Sequence, residues 1–306
     1  MFCTASAGFT ADLTPKELLG KALFFDANLS TPVGQSCAAC HAPEVGWTGP
    51  DATVNAHGAV YPGAVATRFG NSKPPSSAYA TLSPVLRVLK RGHGTFVGGN
   101  FWDGRATGEK LGNPAADQAQ GPFLNPLEQN NDSAQIVCNK VELSSFAQEL
   151  TGQSYTSLFE QAYGPGALDC VANVDATYDR IALAIAAFEG SAESNAFTSK
   201  FDRYLAGRVR LSAQERKGME LFNGKGKCFR CHTSQRMGRD GQPVFTDFTY
   251  DNLGVPRNPE NPFYQEPEYN PLRFEWVDLG LGEFLASRSD YARYAPENYG
   301  KHKVAT

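Results

Sequence analysis

The sequence predicts a mainly α-helical protein made of two similar modules with long irregular loops. Three observations lead there. The stretch "LTPKELLGKALFF" (13–25) recurs as "LSAQERKGMELFN" (211–223) at a constant offset of 198 residues. Apolar residues elsewhere recur at helical rather than alternating spacing, as in Tyr178, Ile181, Ile185 and Phe188. The segments 48–77 and 251–272 are rich in Gly, Pro and Asn and read as ordered loops, with no hairpin series between them.

Bulk properties narrow the function. The 306 residues suffice for two domains with a buried core. A net charge of −4 argues against a nucleic-acid partner, which is usually met by a basic surface. The strongest apolar run, "IALAIAAF" (181–188), is far too short to span a bilayer, so no transmembrane segment is expected. At the start, Ala5-Ser6-Ala7 reads as the small-residue end of a secretory signal peptide cleaved before Gly8; a frayed polar terminus is the alternative. Cys3 lacks the residues that precede a lipidated cysteine.

Each copy of the repeat opens with a capping box, Thr14/Glu17 and Ser212/Glu215, in which the side chains satisfy backbone N–H groups at a helix start. Leu13, Gly20, Leu23 and Phe24 align with Leu211, Gly218, Leu221 and Phe222. After each helix and loop comes a CxxCH motif: Cys37, Cys40 and His41 in "SCAACHAPEVGW", then Cys228, Cys231 and His232 in "KCFRCHTS". Two thiols at this spacing can add to the two vinyl groups of one haem, and the adjacent histidine becomes an axial iron ligand. The rivals are a zinc knuckle and a redox CxxC pair. Zinc needs four ligands per site, and only Cys3, Cys138 and Cys170 remain. A redox pair leaves the histidine unexplained. The expectation is two covalently bound c-type haems in two cytochrome c-like domains, 8–205 and 206–306, with His41 and His232 on the irons.

Covalent haem attachment of this kind belongs outside the bacterial cytoplasm, so a periplasmic location is expected. In that oxidising setting Cys138 and Cys170 can close a loop of about thirty residues, worth roughly 3 kcal/mol; two unpaired buried cysteines are the alternative.

The stretch "FWDGRATGEKLGNPAADQAQGPFLNPLE" (101–128) carries a more specific resemblance. With Gln118-Ala119, Pro122 and Asn125-Pro126-x-Glu128 in order and at matching internal spacing, the chain resembles the bacterial diheme cytochrome c peroxidase and MauG family. It departs by about six extra residues within 106–117. The resemblance extends over nearly the whole chain, including "FTDFTYDNLGVPRN" (245–258).

The resemblance implies a first haem that meets peroxide and a second that relays electrons. Glu128 and Gln118 would then line the first haem's distal pocket, where a carboxylate can move a proton during O–O cleavage and an amide can hold the oxidant. Without the match, Glu128 reads as a loop carboxylate or cap. Trp102 would lie between the haems and assist electron passage; a core aromatic is the other reading. Asp103 and Arg105 would pin their turn or bind a haem propionate. His57 stands where some members carry a distal iron ligand, although a surface-loop histidine reads equally well. Asn71 falls near a segment supplying a calcium ligand, and an amide oxygen suits calcium, as an Asn suits a turn. His93 has no clear role.

The resemblance also implies that a Met or Tyr beyond a K-x-P-T-L-R-N segment ligates the second haem. The chain ends at "GKHKVAT", with Ala305 where proline is usual, and is expected to be truncated; Met237 lies too close to His232 to serve. The implied activity is reduction of hydrogen peroxide with electrons from a small cytochrome c or copper protein. The alternatives are a MauG-like oxidase acting on a protein substrate and a diheme electron carrier. A homodimer is left open.

Overall fold

A computed structural model describes residues 12–89, 94–235 and 241–305. The Ala5-Ser6-Ala7 signal end, Cys3, His93 and Met237 lie outside them. The described residues are mainly helical. In chain order come α1 (Pro15–Phe25), α2 (Ala52–Ala56), α3 (Pro114–Leu124), α4 (Ala134–Leu143), α5 (Phe146–Thr151), α6 (Tyr155–Tyr163) and α7 (Val174–Glu189). Further on come α8 (Lys200–Leu205), α9 (Ala213–Asn223) and α10 (Gly280–Ala286). Two antiparallel pairs accompany them, β1 (Arg87–Val88) with β2 (Phe96–Val97) and β3 (Tyr250–Asp251) with β4 (His302–Lys303). Pairs of two residues are too short to leave an alternating pattern, which is why the sequence does not announce them.

Both expected capping boxes form. In α1 the Thr14 N–H donates to Glu17 Oε2 at 2.7 Å, and the Glu17 N–H donates to Thr14 Oγ1 at 3.3 Å. In α9 the equivalent distances for Ser212 and Glu215 are 2.7 and 3.2 Å. Cys138 and Cys170 are joined in a disulfide with their Cα atoms 5.5 Å apart, tying α4 to the loop before α7.

The main core is α1 laid against α7, flanked by α3 and α6. Leu19, Leu23 and Phe24 of α1 meet Ile181, Ile185 and Phe188 of α7, all essentially without exposure. Burying each such side chain contributes roughly 1.5–3 kcal/mol, so this seam dominates local stability. The approach is close enough to need glycine at position 20. A Cβ there would lie 1.8 Å from the Ala184 carbonyl oxygen. Phe24, Trp47 and Phe188 stack edge-on with centroids 5.5–5.7 Å apart and close one end of the seam.

A second cluster joins Leu86 and Phe96 to Tyr250, Leu281, Leu285 and Ala295. A third joins Val97 to Val244 and Phe248. The β1–β2 pair thus packs with residues far along the chain, and the packing clusters interleave across the expected division at 205/206. No helix among the described residues is long and apolar enough to cross a membrane.

Candidate haem sites

Cys37 opens a single 3₁₀ turn, Cys37–Ala39, a short loop beyond α1. The turn lets the His41 N–H donate to the Cys37 carbonyl at 3.0 Å, so both thiols and the imidazole come from one tight coil. His41 Nδ1 lies 3.3 Å from the Trp47 carbonyl oxygen. A carbonyl can only accept, so Nδ1 carries the proton and Nε2 is left with its lone pair, the form a metal requires.

The second motif repeats this geometry. The His232 N–H donates to the Cys228 carbonyl at 2.9 Å, and His232 Nδ1 donates to the Phe245 carbonyl at 2.7 Å. Two separate folds of chain therefore hold two histidines in the same tautomer.

The surroundings differ. Cys37, Cys40 and His41 line a cavity of about 440 Å³, within the roughly 300–1,000 Å³ range of small-molecule and cofactor pockets. Its walls include Phe24, Phe123 and Ile185 from the core seam, and it also receives Gln118, Glu128, Trp102 and Arg105. Gln35 Oε1 and Gln129 Oε1, in the same wall, are buried without a hydrogen-bond partner among the described residues. Apolar walls, two thiols, an adjacent imidazole and orphaned polar atoms fit a large planar cofactor with a polar edge. Among the described residues no three or more His, Cys, Asp and Glu side chains cluster as a metal site.

Gln118 and Glu128 are positioned by α3 and the turn beyond it. Pro122 near the helix end and Asn125 at its C-cap stop α3. Asn125 then accepts the Leu127 N–H at 3.0 Å, and its amide donates to Glu128 Oε2 at 3.1 Å. The loop 60–64 covers the turn from outside, with the Ala64 N–H donating to the Glu128 carbonyl at 2.7 Å. Gly63 packs so closely that a Cβ there would lie 2.4 Å from the Leu127 carbonyl oxygen. Burial raises the Glu128 carboxyl above the usual carboxylate range, with Arg105 and Asn125 partly opposing the shift.

Trp102 lines this cavity and a smaller neighbour of about 90 Å³. Its indole N–H donates to the Lys73 carbonyl at 2.8 Å. Its own carbonyl accepts the Lys303 N–H at 2.8 Å, and Thr246 Oγ1 donates to the Val304 carbonyl at 2.7 Å. Thr246 follows Phe245, the residue that holds His232. A continuous set of packed and bonded groups thus links the first cavity to the second histidine. Asp103 and Arg105 pin their turn, the Asp103 carboxylate accepting from the Arg105 N–H at 3.1 Å and guanidinium at 2.8 Å.

The structure does not bring every expected residue to the cavity. His57 lies outside it, largely exposed at the end of α2, with Nδ1 3.2 Å from Glu260 Oε1. Its carbonyl accepts from Asn258, so the two long loops are tied here. Asn71 does line the cavity, but its Oδ1 accepts from the Ser72 hydroxyl at 3.0 Å, and its carbonyl from Asn261 at 2.9 Å. Cys228, Cys231 and His232 line neither cavity, and Cys228 and His232 are exposed.

Two charged residues escaped the sequence reading. Glu189 is 4% exposed, faces both cavities, and its carboxyl is pushed up to about 8 by burial. It follows Phe188 and stands four residues beyond Ile185 (a charge on the apolar stripe of α7), and that misfit was the available signal. Lys303 enters the smaller cavity, its ammonium donating to Ser83 Oγ at 2.9 Å and the Gly99 carbonyl at 2.6 Å. Burial lowers it to about 7. Nothing in "GKHKVAT" foretold this.

Comparisons with known proteins point to one family. The family model described as di-haem cytochrome c peroxidase matches residues 14–210. A protein called methylamine utilization protein MauG, from Paracoccus denitrificans, is 32% identical over 86% of this chain and 61% of its own length. A cytochrome c551 peroxidase of Nitrosomonas europaea is 30% identical over 80% of this chain and 57% of its own. Among solved structures, the diheme peroxidase BthA from Burkholderia thailandensis superposes with a TM-score of 0.77 at 27% identity, over 96% of this chain and 65% of that one. The chain spans about three fifths of the length of the curated relatives it matches.

Proposed function

The chain belongs to the di-haem cytochrome c peroxidase family, and from that premise we propose that it reduces hydrogen peroxide to water at the first CxxCH site with electrons received at the second. Cys37 and Cys40 hold one haem and Cys228 and Cys231 the other, with His41 and His232 as iron ligands, one haem to each of the units 8–205 and 206–306. The observation that carries this reading is the convergence of Cys37, Cys40, His41, Trp102, Gln118 and Glu128 on one cavity. A haem held there supplies an iron centre that takes up the oxidant and passes electrons to it.

The chain's own residues supply the rest. Peroxide reduction consumes two electrons and two protons and yields two waters. Glu128, ionised, takes the proton from one peroxide oxygen and returns it to the other as the O–O bond breaks. Its raised pKa brings it nearer neutral pH, which favours both directions of that transfer. Gln118 holds the oxidant by hydrogen bonds without adding charge, and the apolar wall of Phe24, Phe123 and Ile185 limits bulk water. Trp102 offers an oxidisable ring on the route from His232. The electron donor is a small soluble protein, and the setting is the periplasm.

A second reading is favoured by the position of His57. Because that histidine lies outside the cavity, it would not ligate a haem held by Cys37, Cys40 and His41, which equally suits a MauG-like oxidase acting on side chains of a partner protein. Peptide mapping of the full-length protein should recover haem on both CxxCH peptides, and a reduced cytochrome should be consumed on adding peroxide. Haem on one peptide alone, or no consumption of peroxide by the doubly loaded protein, overturns the first reading. Covalent modification of a partner protein in its place selects the second.

A further inference from the structure

Two glutamines beside the first motif carry hydrogen-bonding capacity that the chain leaves unused. Gln35 and Gln129 line the same cavity as Glu128, at 9% and 4% exposure. The Gln35 amide donates to the Pro62 carbonyl at 2.8 Å, and the Gln129 amide to the Gln35 carbonyl at 3.2 Å. A carbonyl only accepts, so each side chain is fixed with its nitrogen on that partner and its oxygen turned away. Those oxygens, Gln35 Oε1 and Gln129 Oε1, are buried with no partner among the described residues. A buried acceptor is seldom left unmatched, because it has lost its hydration with nothing in return.

The wall that holds them is laced from both sides. The Gln35 N–H donates to Ser30 Oγ at 3.0 Å, and the Thr31 N–H to the Gln129 carbonyl at 2.8 Å. The Asn130 and Asn131 amides reach back to the Thr31 and Leu29 carbonyls at 2.8 and 2.9 Å. Gln129 adjoins Glu128, whose Oε2 accepts from Asn125. Gln35 Nε2 stands 3.9 Å from Cys40 Sγ, at the first motif. The two amide oxygens are therefore held in place, able only to accept, and set beside the carboxylate that must exchange protons. Water matches them. It donates to each amide oxygen, accepts from a protonated carboxyl, and is held when buried by roughly two to four polar partners.

We propose that Gln35 and Gln129 hold the water that carries solvent protons to Glu128, a role that rests on Glu128 being the proton-transfer group of the proposed function. Both hydrogens of peroxide leave with the first water once Glu128 has moved one of them. The second water is completed by two protons from solvent and the two electrons from the donor. Glu128 is buried, so those protons reach it only through the wall. Each passes from the held water to the carboxylate while that water takes another from the solvent side, and no bond to either glutamine forms or breaks. Gln35 and Gln129 are positioning residues.

Gln129→Met and Gln35→Met, made separately in full-length holoprotein, keep side-chain size and remove the acceptor. Each should lower kcat with peroxide by about tenfold and leave KM within about twofold. The solvent deuterium isotope effect on kcat should rise, because proton supply then limits turnover, and both haem spectra should stay unchanged. A second readout needs no turnover. In resting protein, held acidic enough to protonate Glu128, the carboxyl infrared band that Glu128→Gln removes should move to higher frequency in either variant, as the carboxyl loses its water. An unmoved band overturns the proposal. A raised KM with kcat and isotope effect unchanged assigns the amide oxygens to peroxide itself and also overturns it. So does an altered first-haem spectrum with turnover intact, which assigns them to the edge of the cofactor. Should Glu128→Gln turn over like wild type, the proposed function fails on its own account. The infrared band then decides the water site alone: a shift keeps it and no shift removes it.

Discussion

Helices α1 and α9 start with the same capping box and lead into the same CxxCH turn, and each is followed by a histidine bonded through Nδ1 to a backbone carbonyl. Their environments are opposite. Five residues of α1 are buried, Leu19, Gly20, Ala22, Leu23 and Phe24, and none of α9 is. Gly20 touches the backbone of α7, whereas a Cβ on the aligned Gly218 would meet nothing within 4 Å. The difference teaches that motif and cap set local geometry, and tertiary partners decide what that geometry can do. Enclosed by α3 and α7, the first motif acquires a carboxylate, an amide and apolar walls, all needed for proton-coupled chemistry. Among the described residues the second motif lines neither cavity and gains no such neighbours.

If only the enclosed site performs proton transfer, Glu128→Gln should lower peroxide turnover by about 10²–10⁴-fold while both haem spectra persist. Glu128 must be ionised to accept the proton, and its pKa is raised. Wild-type turnover should therefore fall as pH drops through a value above the usual carboxylate range, and Glu128→Gln should lack that acid limb. Gln118→Ala should lose less, because water partly replaces the amide, and Trp102→Phe should slow interhaem transfer while sparing the first reaction with peroxide. A carboxylate variant as fast as wild type would remove the asymmetry between the two sites.

Stability measurements probe the same contrast with smaller effects. Replacing Cys138 and Cys170 by alanine should destabilise the first module by roughly 3 kcal/mol in denaturant titrations and leave the second motif's haem spectrum unaffected. Gly20→Ala forces α1 away from α7 and should destabilise by about 1–3 kcal/mol or more, whereas Gly218→Ala should be neutral or stabilise by up to about 1 kcal/mol through helix propensity. Equal losses at both glycines would mean that α9 is packed as tightly as α1. Smallest, Thr14→Ala and Ser212→Ala should each destabilise by about 1 kcal/mol, since the caps are the same even though the surroundings are not.

Local devices were legible in the sequence because they are written in adjacent residues. The capping boxes, both CxxCH turns, the Asp103–Arg105 turn and the Cys138–Cys170 pair follow from spacing or from a short list of candidates. Gln118, Glu128 and Trp102 were legible only through resemblance, since nothing in "QAQGPFLNPLE" says which cavity the loop will meet. Glu189 and Lys303 were missed because their roles arise from burial, which depends on elements more than a hundred residues apart. His57 shows the reverse case: the resemblance implied a distal ligand and the residues alone read equally well as a surface loop, and its loop is tied to residues 258–260 at the surface. Sequence spacing fixes reach along the chain and leaves direction to the partner loop.

The division of labour between the two sites is tested most directly by mixing half-reduced, full-length protein with peroxide and following both haems by rapid-scan spectroscopy. The first haem should change within the mixing phase, and the second should then lose its electron in a slower step that Trp102→Phe retards further. Oxidation of the second haem before any change at the first, or a first haem inert to peroxide, would contradict the assignment.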